Sequence, residues 1–132
     1  MVSRPPSTEE VIERACALGA SSAGVLRIDA TETVLRQALR ASCLGEDARA
    51  LVVVALEHPP EEPGLDHWTG EPGGTDGNRR MAEGMRRLLA WLREERGVAG
   101  APLPYQVERG GLLLKDAAAL CGIGVLGRNN LL

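Results

Sequence analysis

Residues 105–132, YQVERGGLLLKDAAALCGIGVLGRNNLL, decide how this chain is read. An extended run at 103–107 ends on the charged pair Glu108 and Arg109. Gly110 and Gly111 then permit a sharp turn, because glycine reaches positive φ without a Cβ clash. Leu113, Ala117, Leu120 and Cys121 recur at helical spacing, which predicts a short helix closed by Gly122. Beyond it stand Gly124, Gly127, Arg128 and the amides Asn129 and Asn130.

The string GIGVLG at residues 122–127 spells G-x-G-x-x-G. A dinucleotide fingerprint needs a strand before it and a helix after it, so that a helix N-terminus faces the pyrophosphate. Here a helix is predicted before it, and five residues follow. That context favours a glycine-rich helix exit, where backbone packs closely, over a nucleotide site.

Upstream, residues 50–56, ALVVVAL, form the strongest predicted strand: continuous, valine-rich and expected to be buried on both faces. Residues 76–96 form the longest predicted helix, with Met81, Met85, Leu88, Leu89 and Leu92 on one side. Its arginines lie mostly elsewhere, and Glu83 is placed to pair with Arg87 at i,i+4. Such an arginine cluster could meet RNA phosphates, but an acidic chain favours a solvated, mixed-charge face. The two methionines read as core rather than as a cofactor pocket. Gly97 ends this helix, and residues 101–107 read as a final strand.

Toward the N-terminus, residues 7–18 read as the first helix. Ser7 and Glu10 form a capping box, Val11, Ala15 and Leu18 an apolar stripe, and Gly19 a stop. Residues 23–28 are a predicted strand. Residues 31–43 are a predicted helix with Val34, Leu35, Ala38 and Leu39 inward, followed by a turn at 44–47.

Residues 57–77, EHPPEEPGLDHWTGEPGGTDG, show neither a helical nor a strand period. Loops this long are uncommon in compact domains and are often functional. This one holds both histidines, His58 and His67, and Trp68. It reads either as a ligand-contacting loop or as a surface excursion anchored to the core by Trp68. A metal site on His58 and His67 is disfavoured, because no third ligand stands at a recognisable spacing.

The chain has 132 residues, 44% of them hydrophobic and 25% charged, with a net charge of −3. These values suit one soluble domain with a single core, spanning residues 1–132. No run approaches the ~20 apolar residues of a membrane helix. No apolar signal core opens the sequence, so a cytoplasmic location is expected. Cys16, Cys43 and Cys121 are scattered and odd in number, which fits reduced thiols rather than a disulfide framework or a metal site. With no phenylalanine, the core must be built from Leu, Val and Ala. The alternation of helices and strands predicts a layered α/β or α+β domain.

The string V-E-R-G-G-x-x-x-K-D-A-A-x-x-x-G-x-G-x-x-G-R-N-N-L-L at residues 107–132 resembles a segment of the epoxyqueuosine reductases. It is most similar to the shorter iron–sulfur proteins grouped with them. Residues 50–60, ALVVVALEHPP, and 64–70, GLDHWTG, resemble those short relatives too. The resemblance covers most of this chain but only the N-terminal portion of the family. It implies a nitroreductase-like α+β domain with a mixed sheet flanked by helices, binding cobalamin. Gly122, Ile123, Gly124, Gly127, Arg128 and Asn129 are the cofactor-binding residues it implies. The family's general acid is an aspartate after the valine. Glu108 stands there here, keeping the carboxylate with one more methylene of reach. A proton donor so placed is worth ~10²–10⁴ in rate.

Two functional classes follow. In one, the chain is the cobalamin-binding part of an oxidoreductase, with Glu108 protonating a departing oxygen. In the other, it is a non-catalytic binding or assembly module that keeps the fold. Each [4Fe–4S] cluster of the family requires closely spaced cysteines, which Cys16, Cys43 and Cys121 do not supply. The clusters are therefore expected from a further C-terminal domain or a redox partner. The chain is expected to be incomplete at its C-terminus and to self-associate, and tRNA is one partner that the resemblance allows.

Overall fold

A computed structural model describes residues 4–28, 48–70, 74–103, 117 and 121–123. Among them the order is helix α1 (Thr8–Ala17), strand β1 (Ser22–Arg27), strand β2 (Ala50–Ala55), a 3-10 turn (Pro63–Asp66) and helix α2 (Asp76–Arg96). The strands pair antiparallel, and two helices with a two-stranded sheet make this a small α+β fold. The predicted helix at 31–43 and turn at 44–47 lie outside the described residues. Residues 101–103 have no regular secondary structure, and the rest of the strand predicted at 101–107 lies outside as well. None of the described helices is long and apolar enough to cross a membrane.

The chain divides into two compact units, Met1–Ala23 with Val54–Gly100 and Gly24–Val53 with Ala101–Leu132. In the first unit, α1 starts where its sequence says it should. Ser7 Oγ accepts the Glu10 N–H at 3.2 Å, and a Glu10 oxygen accepts the Ser7 N–H at 3.4 Å. This capping box satisfies two orphan donors and is worth about 1 kcal/mol. The exit is a Schellman motif: Ala20 N–H bonds the Ala15 carbonyl and Gly19 N–H bonds the Cys16 carbonyl, each at 3.1 Å. It requires the positive φ of 114° that Gly19 adopts. Val11 and Ala15 are buried, and Leu18 is half-buried as the C-cap residue.

Helix α2 opens on Thr75, whose Oγ1 accepts the Asn78 N–H at 3.0 Å. It ends at Gly97 (φ 64°), whose N–H bonds the Leu92 carbonyl. Leu88 and Leu92 are its buried residues, while Met81, Met85 and Leu89 are half-buried. Trp91 joins the helices: the guanidinium of Arg14 lies 4.8 Å and that of Arg96 5.5 Å from the indole centroid. Arg96 also pairs with Glu10 and donates to the Arg4 carbonyl at 3.2 Å. At the sheet end in this unit, Ser21 N–H bonds the Ala55 carbonyl at 2.8 Å, and Glu57 N–H bonds Ser21 Oγ at 2.7 Å.

In the second unit, Ile28 and Leu51 form a small core with Leu26, Ala48 and Leu103 against it. Burying side chains of this size is worth ~1.5–3 kcal/mol each. Ile28 N–H bonds the Arg49 carbonyl at 2.9 Å. Ala117 is 2% exposed, and Cys121 N–H bonds its carbonyl at 3.1 Å, a helical spacing. The expectation that β2 is buried on both faces is not met. Leu51 is its one buried residue, and Val52 to Ala55 are half-covered. A continuous valine run reports β propensity, and that does not measure how much chain covers each face.

Candidate functional site

Of the residues implied to hold a cofactor, Gly122 and Ile123 are described. Glu108, Gly124, Gly127, Arg128 and Asn129 lie outside the described residues. Gly122 follows Cys121, whose N–H bonds the Ala117 carbonyl, and sits at φ 86°, a left-handed backbone that glycine adopts without strain. It is exposed, and a Cβ built on it would meet nothing within 4 Å. Ile123 beside it is half-buried. Apart from Ala117 and Cys121, the short helix predicted before Gly122 lies outside the described residues, and the Gly122 backbone itself is open to an approaching group.

One residue back the opposite holds. Gly24 of β1 is buried, and a Cβ there would stand 2.6 Å from Cys121 Sγ and 2.9 Å from the Cys121 carbonyl oxygen. Real Cβ atoms do not come so close, so only glycine lets β1 run under this turn. The strand pattern alone could have flagged Gly24, since a glycine inside a strand often marks close backbone approach.

In the first unit, the loop after β2 is held by its own contacts. His58 Nε2 lies 3.1 Å from the Glu62 carbonyl, and His58 Nδ1 lies 3.6 Å from Asp66 Oδ2. Arg80 pairs with Glu62 at 2.8 Å. Thr69 donates to the Gly74 carbonyl from N–H (2.8 Å) and from Oγ1 (3.0 Å), and Arg79 donates to Thr69 Oγ1 at 3.2 Å. Trp68 does not anchor this loop to the core, because it is 77% exposed. The anchor is Leu65, 6% exposed in the 3-10 turn, whose carbonyl lies 3.0 Å from where a Gly77 Cβ would be. The signal for that turn was Pro63, which is pre-set for a first helical position. Among the described residues no three His, Cys, Asp or Glu side chains converge as a metal site.

The arginines of α2 are paired: Arg79 with Asp76 (2.5 Å), Arg80 with Glu62, Arg86 and Arg87 with Glu83 (2.6 and 3.1 Å), Arg93 with Glu94 (3.7 Å) and Arg96 with Glu10. This is a solvated, mixed-charge face, and exposed pairs of this kind add little stability each. Bonds from Arg86 and then Arg87 hold the Glu83 carboxyl below its ordinary 4.5, and Glu83 raises Arg86 in turn.

Compared with protein-family models, with curated proteins and with solved structures, the chain matches none.

Proposed function

We propose that this chain is the cobalamin-binding part of an epoxyqueuosine reductase-like oxidoreductase, its α+β fold layered as in nitroreductases. The observation that supports this most is Gly122. It stands at the first glycine of the G-x-G-x-x-G string, at positive φ, exposed and with open space over its Cα. A bulky flat cofactor can approach such backbone closely, which supports the reading at the two described positions, Gly122 and Ile123. Gly122, Ile123, Gly124, Gly127, Arg128 and Asn129 would hold it. Arg128 and Asn129 suit its amide and phosphate periphery. Bound cobalamin would supply a strongly reducing metal centre for removal of a carbon-bound oxygen. The protein's own chemical part is the Glu108 carboxyl, which gives a proton to the departing oxygen. The [4Fe–4S] clusters that recharge such a centre come from a further domain or a partner protein.

Anaerobic incubation with cobalamin, gel filtration and a visible spectrum test the reading. Co-elution of corrinoid with the protein at micromolar concentration is expected. Its absence at high micromolar concentration ends the proposal. In the reconstituted enzyme, Glu108→Gln should abolish turnover and keep cofactor binding. Unchanged turnover in that variant would remove Glu108 from the proton-donor role, and corrinoid binding with no turnover in the unmodified reconstituted protein would instead favour the binding-module reading.

A further inference from the structure

A groove of about 490 Å³ lies within the first unit, with Leu18, Leu56, Met81, Met85 and Leu88 along it. Small-molecule sites typically enclose ~300–1,000 Å³, mostly apolar with a few oriented polar groups. Two of the walls are methionines, whose unbranched thioethers adapt to the shape of what they meet. Gly84 keeps α2 close to the end of α1, since a Cβ there would already lie 3.3 Å from the Leu18 carbonyl.

The rim carries Arg79, Arg80 and Arg87 against Glu83. Asp76 and Glu62 neutralise the first two. Glu83 is engaged on both oxygens by Arg86, at 2.6 and 3.0 Å, and Arg87 reaches it through Nε alone at 3.1 Å. One carboxylate therefore faces two guanidiniums. The terminal amino groups of Arg87 make no further bond among the described residues. A surplus positive charge with a planar fork of N–H donors, set beside an apolar groove, matches a carboxylate on an apolar tail.

We propose that this groove binds an anionic amphiphile, an unbranched alkyl carboxylate. Its tail lies along Met81, Met85 and Leu88, and its head group is taken by Arg87. A volume of this size suits a single alkyl chain better than the longer face of a docked protein segment. The proposal is independent of the cobalamin reading.

Calorimetric titration of the whole chain with sodium octanoate, decanoate and dodecanoate, kept below micelle formation, tests it. Dodecanol and dodecyltrimethylammonium serve as neutral and cationic controls. Each added methylene should tighten binding about fourfold. Arg87→Gln, an exposed change checked for folding by circular dichroism, should weaken dodecanoate about tenfold or more. It should leave dodecanol unchanged. Equal binding of the three head groups, no dependence on chain length, or wild-type dodecanoate binding by Arg87→Gln would overturn the proposal. So would capture of an acidic amphipathic peptide without any binding of the carboxylates, which would make the groove a protein-docking surface.

Discussion

Gly24 passes beneath Cys121 so closely that a single methyl group on its Cα would lie 2.6 Å from Sγ and 2.9 Å from the carbonyl oxygen. The thiol can rotate away, but the carbonyl belongs to the turn that ends at Gly122. The contact therefore ties the path of β1 to the position of the candidate cofactor segment.

Gly24→Ala should accordingly cost about 1–3 kcal/mol, the usual range for overpacking. For a chain of this length that lowers Tm by roughly 4–12 °C. Adding Cys121→Ala should restore only part of the loss, because the backbone carbonyl stays in place. Thermal melts of the single and double variants check this. A full rescue would show that the side chain alone sets the contact.

The capping box and the Glu10–Arg96 pair share one carboxylate, and two substitutions separate them. Ser7→Ala removes the cap and should cost about 1 kcal/mol at any salt concentration. Glu10→Gln keeps a side-chain acceptor for the Ser7 N–H and loses the ion pair, so its smaller cost should shrink in high salt. Urea unfolding of both variants at low and high ionic strength measures the difference.

These caps also explain which parts of the fold were legible in sequence. Helices α1 and α2 could be bounded closely because Ser7, Glu10, Gly19 and Gly97 are local chemical signals that tertiary structure did not override. The coverage of β2 was not legible, since how far each face is covered depends on what packs above and below a strand. Of the two readings of the long loop, the one anchored by Trp68 fails for a related reason. An aromatic residue in a long loop looks like an anchor, yet the buried contact is made by Leu65. Of the candidate site, the described residues hold only its first two positions, Gly122 and Ile123. A glycine inside β1 signals close approach locally, but that the approaching residue is Cys121, nearly a hundred positions away, is carried by no local pattern.

Glu83 gives a pH prediction. Its folded-state pKa is depressed, so the stabilisation it contributes is present above the unfolded value of 4.5 and is lost as pH falls through the lower folded value. Carboxyl titration followed by NMR should show a midpoint for Glu83 below 4.5. Arg86→Gln should move that midpoint upward more than Arg87→Gln does, because the Arg86 bond is the largest cause. High salt should move it upward in the unmodified chain. An unshifted midpoint in both variants would mean that the pairs do not persist in solution.

Trp68 stacks against Gly74, where a Cβ would sit 2.5 Å from the ring and where φ is 77°. Two substitutions here should differ in kind. Trp68→Ala removes an exposed side chain and should change stability by no more than about 0.5 kcal/mol. Gly74→Ala combines ring overlap with a left-handed backbone and should loosen the loop. Iodide quenching of tryptophan fluorescence reads both. Most of the accessible emission should vanish in Trp68→Ala, and the spectrum of Gly74→Ala should shift as the indole leaves its seat.

Gly122 and Gly19 form a matched pair for testing the cofactor reading. Both sit at positive φ, 86° and 114°, and a Cβ on either would meet nothing within 4 Å. Alanine at each therefore suffers only the conformational penalty, about 1–2 kcal/mol for an L-residue held in the left-handed region. Asparagine should cost less, since it tolerates that region. The two positions should separate on corrinoid binding. At Gly122 the added methyl group occupies the space a flat cofactor would use, so Gly122→Ala should weaken cobalamin by about tenfold or more, the equivalent of ~1.4 kcal/mol. Gly19→Ala, with the same cost in stability, should bind as the unmodified chain does. Denaturant unfolding and anaerobic spectral titration of the two variants give both quantities. If both lose affinity equally, the effect is one of fold stability and Gly122 has no part in the cofactor site. If neither loses affinity, the cofactor rests on other residues.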